Sequence, residues 1–164
     1  MTARMMTVIR EEFGKVDAGF SVTMANNCLG STPTMVFGTE EQKRKLADIV
    51  VPGGFSPFCL TEPSAGSDAA SIRTTAVRKG DEYVINGRKC FITKAPIADY
   101  TVVFAKTSPE LGAKGITAFM VNMKLPGVST GKPEEKMGQR GIPVSDELLE
   151  DVRVSSDCII GEVN

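Results

Sequence analysis

The sequence predicts an α+β protein in which a short all-α N-terminal segment precedes an antiparallel β-sandwich or barrel domain. Over the first fifty residues, apolar side chains recur close to the 3.6-residue period of an amphipathic helix. After Pro57 the pattern changes to short runs rich in β-branched and aromatic residues, with turn signals between them. The run Pro-Gly-Gly at 52–54 ends the helical part, so we expect helices in residues 1–54 and the β-domain in residues 55–164.

Three helices are predicted in the first segment, over Met5–Val16, Asp17–Leu29 and Thr39–Val50. Asp17 is a suitable N-cap for the second helix, and Gly30 offers it a C-terminal stop. Thr39 is expected to cap the third helix, with Gln42 at the capping-box position. The apolar stripe of this third helix consists of Leu46, Ile49 and Val50.

Seven strands are predicted, over Phe58–Thr61, Ile72–Lys79, Glu82–Asn86, Arg88–Thr93, Tyr100–Lys106, Ile116–Asn122 and Glu147–Val154. Gly80-Asp81 is expected to join the second strand to the third. Asn86-Gly87, the strongest short hairpin signal, is expected to join the third to the fourth. Continuous apolar runs in the next two strands indicate that both of their faces are covered, as in a sandwich or small barrel.

Composition argues against several classes of function. Nineteen basic and twenty acidic residues leave a net charge of −1, without the basic excess of a nucleic-acid binder. The chain has no histidine, which removes Ser-His-Asp and Cys-His catalysis and argues against any metal site of the catalytic zinc type. Four widely separated cysteines without a CxxC pair are expected to be reduced, in bacterial cytoplasm or a mitochondrial matrix. No apolar run reaches the ~18 residues of a membrane span, and no secretory signal is recognisable.

The first candidate for ligand binding is the segment from Phe58 to Asp68, Phe-Cys-Leu-Thr-Glu-Pro-Ser-Ala-Gly-Ser-Asp. Its strand is expected to end at Thr61, where Pro63 forces a turn. The small residues that follow let the backbone approach an extended, partly anionic ligand. Taken alone, these residue types fit an ordinary polar loop better. The segment is neither a Walker P-loop nor a GxGxxG turn, and a serine nucleophile would lack a histidine base.

The second candidate is Arg88-Lys-Cys-Phe-Ile-Thr-Lys94. On a strand, Phe91 and Thr93 point to the same side and place an aromatic ring beside a hydroxyl. A flat redox cofactor suits such a pair, because the ring offers a packing surface and the hydroxyl a hydrogen-bond donor. As a pattern alone, an aromatic and a β-branched residue on one strand face are more typical of a core.

Together the segments carry a resemblance to a known family. TEPSAGSD, NGRKCFIT and KMGQRGIPVSDELLEDVRV follow one another in that order, and this part of the chain resembles the middle β-domain of the acyl-CoA dehydrogenases. The upstream stretch FGTEEQKRKLADIV is similar to the last helices of the family's N-terminal domain. The resemblance implies that residues 1–54 are the C-terminal part of that helical domain and residues 55–164 the middle domain. The C-terminal helical domain is expected to lie outside this chain.

The resemblance implies FAD as cofactor, and the matching flavin-lining residues are Phe58, Leu60, Thr61, Phe91, Ile92 and Thr93. Thr61 would hydrogen-bond the pyrimidine side of the flavin, and Thr93 would place its hydroxyl near N5. Phe91 stands where many relatives have Trp. Gly66 and Ser67 would border acyl-CoA, with Ser67 hydrogen-bonding the pantetheine or phosphate region.

The reaction that the resemblance implies is oxidation of acyl-CoA to 2-enoyl-CoA, by α-proton removal and β-hydride transfer to flavin N5. The family's usual base is a buried Glu of the C-terminal helical domain, so no catalytic residue is assigned here and Glu62 is not taken as the base. We therefore expect the isolated chain to bind flavin weakly and to be inactive. The implied partners are acyl-CoA and an electron-transfer flavoprotein, with a homotetrameric parent and no nucleic acid.

Other interpretations of the function remain open. A sister enzyme on the same scaffold, an acyl-CoA oxidase or a flavin monooxygenase, differs in how its flavin is reoxidised. A non-catalytic β-module that only binds or assembles is the alternative from another class. Lys94-Ala-Pro-Ile-Ala-Asp, where relatives commonly begin with Asn, resembles a form found in glutaryl-CoA-like members and leaves the acyl group open.

Overall fold

The computed structural model describes residues 2–164, apart from the side chains of residues 25 and 26. Three helices come first, α1 (Ala3–Val16), α2 (Ala18–Phe37) and α3 (Glu40–Val50). The Asp17 carboxylate accepts the amide of Phe20 at 2.8 Å, which confirms the predicted cap of α2. Among residues 2–164, no helix combines the length and the apolar composition that a membrane-spanning helix needs.

The predicted end of α2 at Gly30 is wrong, because the helix continues to Phe37 through Gly30 and Pro33. A Cβ built on Gly30 would lie 1.6 Å from the carbonyl oxygen of Ser56, so the glycine permits close contact between α2 and the start of the β-domain. The helix ends at Gly38, whose amide donates to the Thr34 carbonyl at 2.8 Å. Tertiary packing therefore explains a glycine that looked like a local stop signal.

The capping box of α3 is confirmed. The Gln42 amide donates to the Thr39 hydroxyl at 3.2 Å, and the Thr39 amide donates to Gln42 Oε1 at 3.1 Å. Gln42 Nε2 also donates to the carbonyls of Asp157 and Ile159, each at 2.7 Å. One side chain thus starts the helix and ties it to the end of the β-domain. Four residues farther along the same buried face of α3, Leu46 packs in a cluster with Val102, Met120 and Ile160.

The β-domain has eight described strands: β1 (Phe58–Cys59), β2 (Thr75–Lys79), β3 (Glu82–Thr93), β4 (Tyr100–Lys106), β5 (Ile116–Asn122), β6 (Val128–Thr130), β7 (Val144–Ser155) and β8 (Ile159–Ile160). They form one sheet in the order β6-β7-β3-β2-β4-β5-β8, and β1 pairs with β4. All pairings are antiparallel except β1 with β4 and the single β2–β4 bridge, which are parallel. The mostly antiparallel fold confirms the predicted class. The sequence pattern missed the short strands β6 and β8.

The sheet folds over to enclose one core. The rings of Tyr83 on β3 and Phe119 on β5 lie 5.3 Å apart between centroids, although β2 and β4 separate their strands in the hydrogen-bonded order. In a flat sheet with strands ~4.8 Å apart, that separation would be roughly 14 Å. The same buried cluster includes Ile85, Val103 and Val152. The architecture is therefore that of a sandwich or barrel.

The predicted hairpin at Asn86-Gly87 is wrong, because β3 runs without interruption from Glu82 to Thr93. The pairing of β3 with β7 shifts register at this point, as in a β-bulge. The Asn86 side chain binds Asp151 on β7, accepting its amide at 2.8 Å. A Cβ on Gly87 would lie 2.2 Å from the Thr74 hydroxyl oxygen. Both residues of the supposed turn therefore serve contacts with other parts of the chain.

Lys94 fixes α2 to the end of β3. Its fully buried ammonium donates to the Thr23 carbonyl and, at 2.8 Å, to Asn27 Oδ1, both on α2. It also lies 4.7 Å from the centroid of the Phe55 ring. Burial lowers the pKa of Lys94 to about 8. The helical segment thereby has a fixed position relative to the residue that follows Thr93.

Candidate functional site

The two candidate segments lie side by side. The amide of Cys90 donates to the carbonyl of Thr61 at 2.8 Å, beyond the end of β1. Next to this bond, the ammonium of Lys89 donates to the Leu60 carbonyl at 3.3 Å. Thr93 is three residues farther along β3, which corresponds to roughly 10 Å of strand. The structure thus brings the Thr61 and Thr93 segments together into one surface.

Phe91 is the most exposed residue of this surface. Its backbone has φ 57°, in the left-handed region, and it lies at a second register shift between Lys89 and Ile92. Its ring is 68% exposed, unusually high for a large aromatic side chain on a long strand. Thr93 is half-buried, whereas Ile92 belongs to the core, so only the backbone of Ile92 remains available to a ligand.

On the neighbouring segment, Phe58, Leu60 and Thr61 are all half-buried. The ring of Phe58 packs against Phe104, with centroids 4.7 Å apart, which limits how much of it can face a ligand. Cys59, between them, points into the core and is completely buried. This short segment lies between β4 and β3, and its bond to Cys90 places Leu60 and Thr61 next to the part of β3 that carries Phe91.

Glu62 anchors the loop that follows Thr61. Its two carboxylate oxygens accept the backbone amides of Arg73 and Thr74, at 2.6 and 3.0 Å, and the ammonium of Lys89 at 2.7 Å. Burial by itself would raise the pKa of Glu62, but these three donors outweigh burial and hold the pKa below its ordinary value. The carboxylate is thus held ionised in a structural network.

The rest of the loop leaves Gly66 and Ser67 exposed. Glu62 and Ala65 exchange backbone hydrogen bonds of 3.0 and 3.1 Å, which close the loop tightly. A Cβ built on Gly66 would meet no described atom within 4 Å. No packing contact among residues 2–164 therefore explains a glycine at this position.

The third motif adjoins the second. Val144, the first residue of β7, pairs with Thr93, and the amide of Lys94 donates to the Pro143 carbonyl at 2.8 Å. The loop before β7 forms an open groove whose lining includes Pro133, Met137, Arg140 and Pro143. Two further grooves lie around α3, and neither is lined by Phe91. With its ring 68% exposed, Phe91 forms part of an open wall.

A buried polar cluster behind β1 was not predicted from the sequence. Lys89 and Glu147 are directly opposite each other on β3 and β7, and both side chains are completely buried. Glu62, which binds Lys89, also belongs to the cluster, together with Cys59 on β1 and Thr101 on β4. In the sequence, each of the two strands has a charged residue at an inward-facing position. Such a residue is rarely buried unless it is paired, so this pattern could have indicated the cluster.

Comparison with known proteins identifies the family. The sequence model described as the acyl-CoA dehydrogenase middle domain matches residues 57–152. The model described as the acyl-CoA dehydrogenase N-terminal domain matches residues 1–53. Between them, these two matches cover most of the chain.

Two curated bacterial relatives are similar along nearly the whole chain. The 3-(aryl)acrylate reductase of Clostridium sporogenes is 49% identical over 164 residues, covering 98% of this chain and 43% of that protein. The CarC subunit of the caffeyl-CoA reductase–Etf complex of Acetobacterium woodii is 46% identical, covering 96% of this chain and 42% of that protein. The chain therefore spans about two fifths of the length of these relatives.

Solved structures agree with these matches. Butyryl-CoA dehydrogenase from Megasphaera elsdenii superposes with a TM-score of 0.90 at 39% identity, covering 94% of this chain and 41% of that one. An acyl-CoA dehydrogenase from Bacillus anthracis in complex with FAD superposes with a TM-score of 0.85 at 36% identity, covering 94% of this chain and 26% of that one. The chain therefore belongs to the acyl-CoA dehydrogenase family of flavoprotein oxidoreductases.

Proposed function

We propose that the complete protein containing this chain is an FAD-dependent acyl-CoA dehydrogenase, which oxidises acyl-CoA to 2-enoyl-CoA by α-proton removal and β-hydride transfer. The observation that carries this proposal is the hydrogen bond from Cys90 to Thr61, which joins the two candidate segments into one wall. Residues 55–164 would form the middle domain that bears this wall, and residues 1–54 the end of the N-terminal helical domain. Family membership supports both assignments.

The residues of the wall fit a flavin ring. Phe91 offers an exposed aromatic face, and Thr61 and Thr93 are half-buried hydroxyl residues on the adjoining segments. In our proposal Thr61 and Thr93 hydrogen-bond the ring, while Phe58, Leu60 and the backbone of Ile92 complete the contact. Bound FAD would supply the hydride acceptor, its N5 atom. The chain's own contribution is to orient the ring and keep water from one side of it.

Acyl-CoA would contact the loop after Glu62. Gly66 has open space on its Cβ side and Ser67 is exposed, so an extended ligand could approach this backbone closely. Ser67 would hydrogen-bond the pantetheine or phosphate region. Because Glu62 binds two amides and Lys89, it is committed to holding this loop. We place the catalytic base outside these 164 residues and expect the isolated chain to be inactive.

A second candidate function is the reverse reaction, reduction of a 2-enoyl-CoA or a related unsaturated acyl compound. The names of the two relatives described above favour it, since both are reductases and one acts on caffeyl-CoA. The Etf in the name of that complex also supports an electron-transfer flavoprotein as partner, in preference to oxygen. A homotetrameric complete protein is proposed by analogy with the family.

The test uses the complete polypeptide loaded with FAD under anaerobic conditions. Acyl-CoAs of different chain and ring structure are added to the oxidised form, and the matching enoyl-CoAs to the reduced form. Bleaching of the flavin absorbance by an acyl-CoA supports dehydrogenation, and recovery of the absorbance with an enoyl-CoA supports reduction. Thr93→Val should slow either change, whereas Thr75→Val on β2, outside the wall, should not. Absence of bound flavin, or no spectral change with any thioester, would reject the proposal.

A further inference from the structure

The buried polar cluster contains one cation and two carboxyl groups. Lys89 lies on β3, Glu147 is its cross-strand partner on β7, and Glu62 approaches from the loop after β1. All three side chains are almost completely removed from solvent. Such a group of charges is stable in a protein interior only if the charges balance and the polar atoms find partners.

All three N–H groups of the Lys89 ammonium donate to acceptors other than Glu147. Its ammonium donates to Glu62 Oε1 at 2.7 Å, to the Phe104 carbonyl at 2.7 Å and to the Leu60 carbonyl at 3.3 Å. An ammonium has three N–H groups, so none remains for the carboxyl group across the strand. Glu62 supplies the negative charge that balances Lys89.

Glu147 has weak partners by comparison. The Cys59 thiol donates to Oε2 at 3.1 Å, and the Thr101 hydroxyl hydrogen-bonds the same sulfur. Oε1 is buried and has no hydrogen-bond partner among the described residues. A bare carboxylate oxygen costs far more free energy in that position than a neutral carboxyl group. Burial raises the pKa of Glu147 to about 7, more than Cys59, Thr101 and Lys89 can offset.

We propose that Glu147 is a positioning residue, a carboxylic acid kept neutral inside the β-domain, which holds β1 in place through Cys59. Cys59 lies between Phe58 and Leu60, and Thr61 follows directly, so movement of β1 would displace the proposed flavin wall. Ionisation of Glu147 would add a second negative charge to a buried cluster in which Glu62 already balances Lys89, and would weaken the packing behind that wall. This inference rests on the proposed function for its link to flavin, but not for the protonation of Glu147.

Four strands place a residue against Glu147, and these residues decide which group in the cluster titrates. Lys89 on β3 carries a charge already balanced by Glu62, Cys59 on β1 has a pKa raised by burial, and Thr101 on β4 does not titrate in this range. On β6 the paired residue is Thr130, which carries no charge. Glu147 is therefore the group in this cluster expected to ionise near neutral pH.

The experiment measures FAD affinity of the complete protein from about pH 6 to pH 8, by quenching of flavin fluorescence. Wild type should lose affinity about fivefold or more across this range, since ionisation of the buried group and flavin binding oppose each other. Glu147→Gln, which is permanently neutral, should bind FAD with a flat profile. Glu150→Gln, on the exposed face of the same strand, should keep the wild-type profile. A flat wild-type profile, or a wild-type slope in Glu147→Gln, would overturn the proposal.

A second readout separates this inference from the proposed function. The infrared band of a protonated carboxyl group should be present in wild type at about pH 6, fade towards pH 8, and be absent from Glu147→Gln. Cys59→Ala should keep the band but flatten the affinity profile, because the link to β1 is cut. If no FAD binds, the proposed function fails while the infrared titration still decides whether Glu147 is neutral. A wild-type protein without the band would refute the protonation itself.

Discussion

The Cys90 amide donates a hydrogen bond to the Thr61 carbonyl at 2.8 Å, although roughly thirty residues separate them in sequence. This bond continues the sheet beyond the two residues of β1 and sets the loop after Thr61 beside the bulged end of β3. Motifs that are separate in the sequence therefore share one surface, from Leu60 to Thr93. The site is a product of strand pairing rather than of any single loop.

Phe91→Ala tests the exposed end of that surface. We expect FAD affinity of the complete protein to fall about tenfold, because an aromatic packing contact contributes ~0.5–1.5 kcal/mol beyond the area it buries. The unfolding free energy of the apoprotein should change by less than ~0.5 kcal/mol, since the ring is 68% exposed and packs against little of the chain. Flavin fluorescence and urea unfolding measure the two quantities separately.

The control is Val77→Ala on β2, an exposed apolar residue outside the wall. It should alter neither FAD affinity nor stability. Phe91→Trp should bind FAD at least as well as wild type, because the larger ring keeps the contact. Equal FAD affinity in wild type and Phe91→Ala would remove Phe91 from the site.

Local signals predicted the fold where the relevant contacts are local. The capping box of Thr39 and Gln42 spans four residues and forms as expected, and so does the Asp17 cap. The Asn86-Gly87 signal failed because Asn86 binds Asp151, on a strand sixty-five residues away. The prediction that α2 ends at Gly30 was wrong for the same reason, since Gly30 packs against Ser56, which is distant in sequence. Distant contacts of this kind leave no trace in a short sequence window.

The candidate site likewise contains residues that the sequence predicts and residues that it does not. Thr61 and Thr93 are recognisable because they belong to contiguous motifs, and the structure places those motifs side by side. The contact of Cys59 with Glu147 joins residues eighty-eight positions apart, and the charge of Glu147 at an inward-facing strand position does not indicate which residue it contacts. Only the folded sheet shows that the thiol and the carboxyl group share one buried space behind the wall.

Replacement of glycine by alanine is expected to have different effects on stability at Gly30 and at Gly66. Gly30→Ala should destabilise the protein by about 2 kcal/mol, in the range of overpacking, because its Cβ would lie 1.6 Å from the Ser56 carbonyl oxygen. Gly66→Ala should leave stability unchanged, as its Cβ would meet no described atom within 4 Å. If acyl-CoA lies against this loop, Gly66→Ala should instead raise the Kd for acyl-CoA. Thermal unfolding and calorimetric titration distinguish the two effects, and equal destabilisation by both variants would contradict this account.

Glu62→Gln tests the buried ion pair. Removing the carboxylate leaves the Lys89 ammonium buried without a counter-charge, which costs about 3–5 kcal/mol in comparable cases. Because the folded pKa of Glu62 lies below its ordinary value, the stability that it contributes is present above that value and is lost as pH falls through the folded pKa. Urea unfolding should therefore show the variant weakened at neutral pH and closer to wild type in acid.

The control for that prediction is Glu135→Gln, which removes one side of the exposed Lys132–Glu135 pair, 3.4 Å apart. Solvent screens such a pair, so no measurable change is expected. Lys89→Met combined with Glu62→Gln should recover part of the lost stability, because no unpaired charge remains. A single Glu62→Gln variant as stable as wild type would show that the pair does not hold the loop.

The raised pKa of Glu147 predicts a pH dependence of stability opposite to that of Glu62. Its folded pKa of about 7 lies above the ordinary 4.5, so the folded state binds the extra proton and the associated stability is complete below the ordinary value. That stability is lost as pH rises through about 7, and the full difference corresponds to on the order of 3 kcal/mol. Wild type should therefore lose unfolding free energy between about pH 5 and pH 8 relative to Glu147→Gln, whose amide does not titrate. Urea unfolding at several pH values measures the difference, with Glu150→Gln expected to follow wild type. Parallel curves for wild type and Glu147→Gln would mean that the buried carboxyl group does not change its charge across this range.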